Sequence, residues 1–240
     1  MRKAAILKKR GENVTEIPMK VIAHIETDFS EKFGIPRQSG IAEYAVGKIV
    51  FESEYRNPDA LRGLEGYSHI WIIWQFSEAV RDNWSPTVRP PRLGGNKRMG
   101  VFATRSPFRP NAIGLSCVKI EKIDIENVEI YVSGVDMLSG TPIFDIKPYL
   151  PFADSHPDAA GGFADAHKDY SLEVLCRDDL LLKMPERQRR ALLEILSEDP
   201  RPSYQDDAER VYGMTFSDFE IKFTVNGRVL TVLEIQDGKK

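Results

Sequence analysis

Cysteine, histidine and long apolar runs are scarce in this chain. Of 240 residues only two are cysteine, Cys117 and Cys176, far apart and outside any Cys-x-x-Cys spacing. That excludes a disulfide scaffold and predicts two reduced thiols in a cytoplasmic protein. The four histidines, His24, His69, His156 and His167, do not fall at ligand spacing, so no metal is expected. The longest apolar run, around Ile70 to Trp74, falls far short of the roughly 20 residues that span a bilayer. No membrane association is expected. The first ten residues, Met1 to Arg10, place basic charge where a signal peptide would need an apolar segment. G-x-G-x-x-G after a strand, G-x-x-x-x-G-K-[ST], H-E-x-x-H and G-x-S-x-G are all missing, which removes the common dinucleotide, phosphate-loop, metalloprotease and serine-hydrolase readings.

What is present is an ordinary globular composition, 42% hydrophobic and 29% charged with 17 Gly and 15 Pro. The net charge of −3 argues against a generic nucleic-acid coat, but its distribution is uneven. Between Asn83 and Ile120 lie seven basic residues and no acidic one, leaving −10 on the rest of the chain. A basic stretch on an acidic protein is a local electrostatic footprint. The same stretch is rich in Gly and Pro, which fix irregular backbone, and in Arg and Asn, which offer planar hydrogen-bonding forks. An anionic, planar ligand suits it.

Residues 1–18 read as a polar, poorly packed extension. From Met19 onward short β-branched and aromatic segments alternate with turn residues: Lys20 to Thr27, Gly47 to Ser53, His69 to Phe76, Met99 to Ala103, Gly114 to Ile123, Val128 to Val135 and Ile143 to Ile146. Only Asp59 to Leu64 looks like a helical turn, and no strand is followed by a long amphipathic helix. This predicts a mainly β fold, an antiparallel barrel or sandwich over residues 19–160. After Pro157 the composition turns polar and loop-like. Pro185 to Glu198 then predicts a short helix, and Asn226-Gly227 between two alternating runs predicts a hairpin. Residues 161–240 are thus expected to form a small α+β domain. On pattern alone His69 and Phe102 would be core residues, and Phe108, in a loop, a stacking surface for an unpaired base.

Ile35-Pro-Arg-Gln38, Leu61-Arg-Gly-Leu-Glu65, Tyr67-Ser-His-Ile-Trp71, the run from Trp84 to Asn96, Gly100 to Ser106, Phe108-Arg-Pro-Asn111 and Asp145 to Asp154 together resemble the TrmO (TsaA-like) family. Asp199-Pro-Arg-Pro-Ser-Tyr204 resembles the C-terminal domain of its bacterial members. The resemblance implies a non-Rossmann β-barrel methyltransferase, dimeric, that uses S-adenosylmethionine to methylate N6 of threonylcarbamoyladenosine next to the anticodon of tRNA. It carries the family's cofactor contacts onto Pro36, Arg37, Gln38, His69, Ile70, Arg105, Leu115 and the turn Met137, Leu138, Ser139, Gly140. This chain departs from the family pattern twice. Ser139 stands where the family often has Asp, and Ala112 stands where it has Pro.

Methyl transfer to an exocyclic amine needs an acceptor for the N6 proton. The Asp/Asn-Pro-Pro-aromatic motif of other amino-methyltransferases is absent, so Asn111, Asp136 and Asp145 are the candidates, with capping at strand ends as the bland reading of the two aspartates. Arg92, Phe108 and Arg109 are candidate tRNA contacts, and Arg109 could equally brace its own loop through backbone carbonyls. A barrel that binds S-adenosylmethionine or RNA without catalysis is the alternative function.

Overall fold

The computed structural model describes residues 6–9, 12–90, 97–167, 170–201 and 207–238. Its first element is a hairpin of β1 (Ile6–Lys9) and β2 (Glu12–Thr15) within the polar N-terminal extension. Six strands then close a barrel: β3 (Ala23–Thr27), β4 (Val46–Phe51), β5 (His69–Gln75), β8 (Ile113–Asp124), β9 (Glu129–Ser133) and β10 (Thr141–Pro148). Their cyclic order is β10-β3-β4-β9-β8-β5, every pair antiparallel. Closure leaves the barrel sheet without an edge, which a strand-rich chain otherwise has to protect. Between β5 and β8 a two-stranded ribbon, β6 (Thr87–Val88) and β7 (Met99–Gly100), interrupts the long loop.

Alternation puts one face of each strand inside. On β5, Ile70, Ile72 and Trp74 are buried while His69, Trp71 and Ile73 are only half-buried on the outer face. The His69 expectation is corrected accordingly: it shares the phase of Trp71, not of the core. The predicted strand Met99 to Ala103 ends at Gly100 and continues as a 3-10 turn, Val101–Ala103, in which Val101 is buried and Phe102 is 74% exposed. Phe102 is therefore a surface ring, because a three-residue turn projects neighbouring side chains to different sides.

The register sets the site. The end of β3 lies beside the start of β4, the end of β9, the start of β10 and the ends of β5 and β8 that carry Gln75 and Ile113. Loops 28–45, 76–112 and 134–140 consequently emerge at one mouth. Backbone bonds stitch them to it: Gly40 N to Gly134 O at 2.9 Å, Gly134 N to Ala45 O at 2.8 Å, Ser139 N to Phe29 O at 2.8 Å and Phe76 N to Ala112 O at 2.8 Å. Gly134 has φ +76, and a Cβ there would press on the Gly40 backbone at 3.1 Å, so this close approach requires glycine.

Helix α1 (Pro151–Asp154) follows the barrel. Beyond it β11 (Glu173–Leu175), α2 (Asp178–Leu181), α3 (Glu186–Ser197), β12 (Tyr212–Phe216), β13 (Phe219–Asn226) and β14 (Val229–Asp237) build a four-stranded sheet of order β11-β14-β13-β12. Only β11 and β14 pair in parallel. The β13–β14 hairpin turns at Asn226-Gly227 with Gly227 at φ +58. This sheet packs on loop 28–45: Phe29 meets Phe216 and Phe33 stacks on Phe223, with ring centroids 5.7 and 6.4 Å apart. Arg187 pairs with Asp28 at 3.0 Å.

Candidate active site

Loop 28–45 contributes Pro36, which is buried, and Arg37 and Gln38, which are half-buried. Arg37 reaches across to the second sheet's approach segment, where its Nη2 donates to the carbonyls of Asp199 and Arg201, each at 3.2 Å. Arg201 is buried against Asp199 through Nε and Nη2 at 2.8 and 3.0 Å. Gln38 lies between two arginines of the site. Its amide donates to the Arg37 carbonyl, and its Oε1 accepts from Arg105 of loop 76–112.

Beneath these groups a polar chain enters the barrel. Trp74 and Ser116 both point inward, and the indole Nε1 donates to Ser116 Oγ at 2.9 Å. Ser116 Oγ in turn donates to Asp136 Oδ1 at 2.6 Å. Gly114 makes room for the ring, since a Cβ there would land in the Trp74 indole. Burial pushes the Asp136 carboxyl up to about 6, against the opposing pull of Ser116, the Ser39 N–H and the charge of Arg105. A carboxylate with that affinity can take up a proton near neutral pH. Ser39 also fixes the strand below, accepting from Cys117 N at 3.1 Å. The Cys117 thiol is pushed up by burial, the opposite of an activated nucleophile.

The other candidates sit differently. Asn111 is exposed at the end of loop 76–112, its carbonyl accepting from Ile113 N at 2.8 Å. Asp145 lies on the outer face of β10 opposite Ile73, bonded to Ile146 N at 3.0 Å and paired with Lys147 at 3.1 Å. Its carboxylate is thus fully engaged by its own strand, away from the Ser116–Asp136 chain. In the 134–140 turn Met137 is fully buried and its carbonyl accepts from Thr27 Oγ1 at 3.0 Å. Leu138 is half-buried, Ser139 Oγ accepts from Thr27 N at 3.2 Å, and Gly140 adopts φ +82. Ser139 thereby uses its hydroxyl to dock the turn on β3.

Leu115, 56% exposed, is on the outer face at the same mouth, opposite Ile73. His69 and Ile70 begin β5, six residues along the strand from Gln75. Across β8 His69 is opposite Lys119, which is itself opposite Ser133 at the end of β9, and Ser39 docks on Cys117, opposite Trp71, so the 28–45 and 134–140 loops run along this part of the barrel too. His69 Nδ1 is 2.8 Å from Ser68 Oγ, its ring edge faces Tyr149, and Tyr149 in turn packs against Trp71. Asp154 accepts from Leu150 N at 2.8 Å and from Trp71 Nε1 at 3.0 Å, and these bonds, the Leu150 one foremost, hold its carboxyl below its ordinary range.

In loop 76–112, Arg109 Nη1 donates to Thr104 O at 3.2 Å, the bracing contact considered for it, and its side chain also lines a cavity of about 190 Å³ with Arg81, Asn83, Trp84, Ser85 and Phe108. Arg81 covers the Phe108 ring at 3.9 Å. Arg92 lies outside the described residues. Ser39, Ser116, Trp74, Arg81 and Trp84 were not singled out in the sequence. The one available signal was Ser116, a hydroxyl in the inward phase that its strand otherwise fills with Gly114, Val118 and Ile120. Among the described residues no group of three His, Cys, Asp or Glu side chains could hold a metal ion, and no helix is long and apolar enough to cross a membrane.

Comparison with known proteins covers both halves of the chain. The family model for the tRNA-methyltransferase O N-terminal domain matches residues 24–155, and that for the TrmO C-terminal domain matches residues 171–238. An Escherichia coli protein named tRNA (adenine(37)-N6)-methyltransferase is 40% identical over 225 residues, 90% of this chain and 96% of its own length. A Pseudomonas aeruginosa protein named putative S-adenosylmethionine-dependent methyltransferase RcsF is 41% identical over 226 residues, 90% of this chain and 96% of its own. A crystal structure of TrmO from P. aeruginosa superimposes with a TM-score of 0.77 at 32% identity, covering 94% of this chain and 99% of that one. The barrel, its loop-bearing mouth and the appended sheet therefore have a common origin with these proteins: the chain belongs to the TrmO family.

Proposed function

We propose that the protein is an S-adenosylmethionine-dependent tRNA (adenine(37)-N6)-methyltransferase, working where tRNA is found, in the cytoplasm. The observation that carries the reading is the desolvated Asp136 carboxylate at the barrel mouth, with an affinity near neutrality and an arginine–glutamine pair above it. The relatives' names supply the substrate and the cofactor.

The residues present fit such a cofactor. A buried carboxylate whose charge is only partly compensated favours a nearby cation, as a sulfonium is. Arg37, Gln38 and Arg105 offer donors for a carboxylate or purine edge, and Leu115 offers an exposed apolar surface. When bound, S-adenosylmethionine supplies an electrophilic methyl group. The chain's own work is then to orient the adenine amine and accept its proton, and we assign the latter to the Asp136 carboxylate, which Ser116 holds in place through Oδ1. Arg109 and Phe108 hold the RNA beside it.

We further propose that the working unit is a homodimer, as the family resemblance implies, with Arg37 and Gln38 closing a site that two chains share. Residues 19–160 would carry the chemistry, and 161–240 would brace loop 28–45. The test is transfer of labelled methyl by the purified protein to anticodon-arm RNA with and without the threonylcarbamoyl group, comparing wild type with Arg109→Lys. Methyl transfer that Arg109→Lys impairs selectively on the modified RNA supports the reading, because lysine keeps the charge but loses the planar fork. No transfer to either RNA overturns it. Light scattering showing a fully active monomer would remove the shared site.

A further inference from the structure

Loop 76–112 carries a concentration of exposed rings that the chemistry at Asp136 does not use. Trp84 is 52% exposed and Phe102 is 74% exposed, and their centroids lie 6.1 Å apart at an interplanar angle of 32°. Rings of that size on a surface need an occupant to be removed from water. Phe108 is less available, because the Arg81 guanidinium occupies one of its faces at 3.9 Å. That arrangement also fixes Arg81 at the rim of the cavity whose walls include Trp84, Asn83 and Arg109.

The cavity's chemistry is selective. Its volume of about 190 Å³ is below the roughly 300–1,000 Å³ of sites that enclose drug-sized ligands, which leaves room for one planar ring system. Its lining residues include the aromatic Trp84 and Phe108, the arginines Arg81 and Arg109 and the amide Asn83, and no carboxylate, while the Ser85 hydroxyl is already given to Thr87 O at 2.8 Å. A base can be stacked and its edge and phosphate bound there, but a proton leaving an amine would find no anionic acceptor. The adenine that is methylated belongs beside Asp136 instead.

We infer that this cleft takes an unpaired nucleotide immediately flanking the methylated adenosine in the anticodon loop, stacking its base on Trp84 with Phe102 as a second ring and holding its phosphate by Arg81. This rests on the methyltransferase reading and adds to it the determinant of which RNA loops are accepted. Asn83, the amide in the wall, is the group able to read a base edge.

The experiment uses the full chain and synthetic anticodon-arm RNAs, one intact and two with an abasic site at the 5′ or the 3′ neighbour of the target adenosine. Binding is followed by fluorescence anisotropy, and turnover by labelled methyl transfer. Stacking on an aromatic side chain is worth about tenfold to a hundredfold in affinity, so Trp84→Ala is expected to weaken binding of intact RNA by about that factor, with Trp84→Phe recovering most of it. One of the abasic RNAs should bind wild type as weakly as intact RNA binds Trp84→Ala, and combining that RNA with Trp84→Ala should cost nothing more. Cofactor affinity, measured by calorimetry on the same variant, should be unchanged. Independent, multiplying losses at both flanks, or Trp84→Ala binding intact RNA like wild type, would overturn the assignment. A wild type that binds RNA in this pattern yet transfers no methyl would refute the methyltransferase reading and leave the cleft standing.

Discussion

The two ends of the barrel differ in what their connections are asked to do. At one end loops 28–45, 76–112 and 134–140 are held by cross-loop backbone bonds and enclose a carboxylate that burial has made reluctant to ionise. At the other, the connection from β4 to β5 is tightened by two 3-10 turns, Pro58–Leu61 and Leu64–Gly66, and β8 passes to β9 through a turn containing Val128 at φ +54. Charges there are exposed and paired locally, as Arg62 is with Asp59. A strand scaffold tolerates long irregular loops wherever something packs against them. Here the second sheet does so, placing Phe216 on Phe29 and Phe223 on Phe33. The difference teaches that reactivity follows burial and the company of the loop, not the type of residue: Asp136 and Asp145 are the same side chain in opposite circumstances.

The largest effect expected is at Asp136. Asp136→Asn should lower methyl transfer by about 10²–10⁴-fold, the usual contribution of a positioned proton acceptor, while wild-type activity should rise with pH through about 6 as this group ionises. Stability should move the other way. A carboxyl whose folded pKa is raised from 3.8 to about 6 favours the fold below its ordinary pKa, and that contribution is lost as pH rises through 6. Asparagine does not titrate. Denaturant unfolding should therefore find the variant gaining on wild type, by about 1–3 kcal/mol at pH 8 relative to pH 4. Equal pH dependence in the two proteins would show that the carboxylate is not desolvated.

Next in size is Gly114→Ala, which needs no chemistry to interpret. The added Cβ would meet the Trp74 indole, and overpacking of this kind costs about 1–3 kcal/mol. Because Trp74 holds Ser116 and Ser116 holds Asp136, the variant should lose activity at temperatures where it is still folded. A destabilised protein with wild-type turnover would separate the barrel interior from the site.

Arg105→Ala comes third. Removing its bond to Gln38 and its charge beside Asp136 should weaken S-adenosylmethionine about tenfold, in the range of charge-assisted hydrogen bonds, with the melting temperature unchanged because the side chain is exposed. Calorimetry on the folded variant decides it, and unchanged affinity would detach Arg105 from the cofactor.

How much of this could be read from the residues depended on phase. The strands were legible because β-branched and aromatic residues alternate with turn residues, and the hairpin because Asn226-Gly227 admits little else. The face each strand buries was not. In His69-Ile-Trp-Ile-Ile-Trp74 nearly every position is apolar, so composition alone leaves open whether Trp71 or Trp74 is inside, and His69 was misplaced for that reason. Phe102 was misplaced because a 3-10 turn replaced the expected strand. The candidate cofactor residues were legible through a resemblance, but the docking of Ser39 on Cys117, opposite Trp71, emerges only from the fold. Asn111, Asp136 and Asp145 carried equal weight in the sequence, since burial is a property of the fold.

The smallest effect expected is at Asp145, and it is the most informative control. Its carboxylate faces outward on β10, with one oxygen bonded to Ile146 N and the other to Lys147 at 3.1 Å. Exposed pairs of this kind contribute little to stability, about 0–1 kcal/mol. Asp145→Asn keeps the shape and an oxygen for the Ile146 N–H while removing the charge, so turnover should stay within about twofold of wild type and the activity–pH profile should keep its limb near 6. A loss at Asp145 comparable to that at Asp136 would mean that the outer face of β10 meets the substrate, as it could if the partner protomer's RNA crossed there. In that event the proton acceptor would have to be sought at the shared edge of two barrels rather than inside the mouth of one.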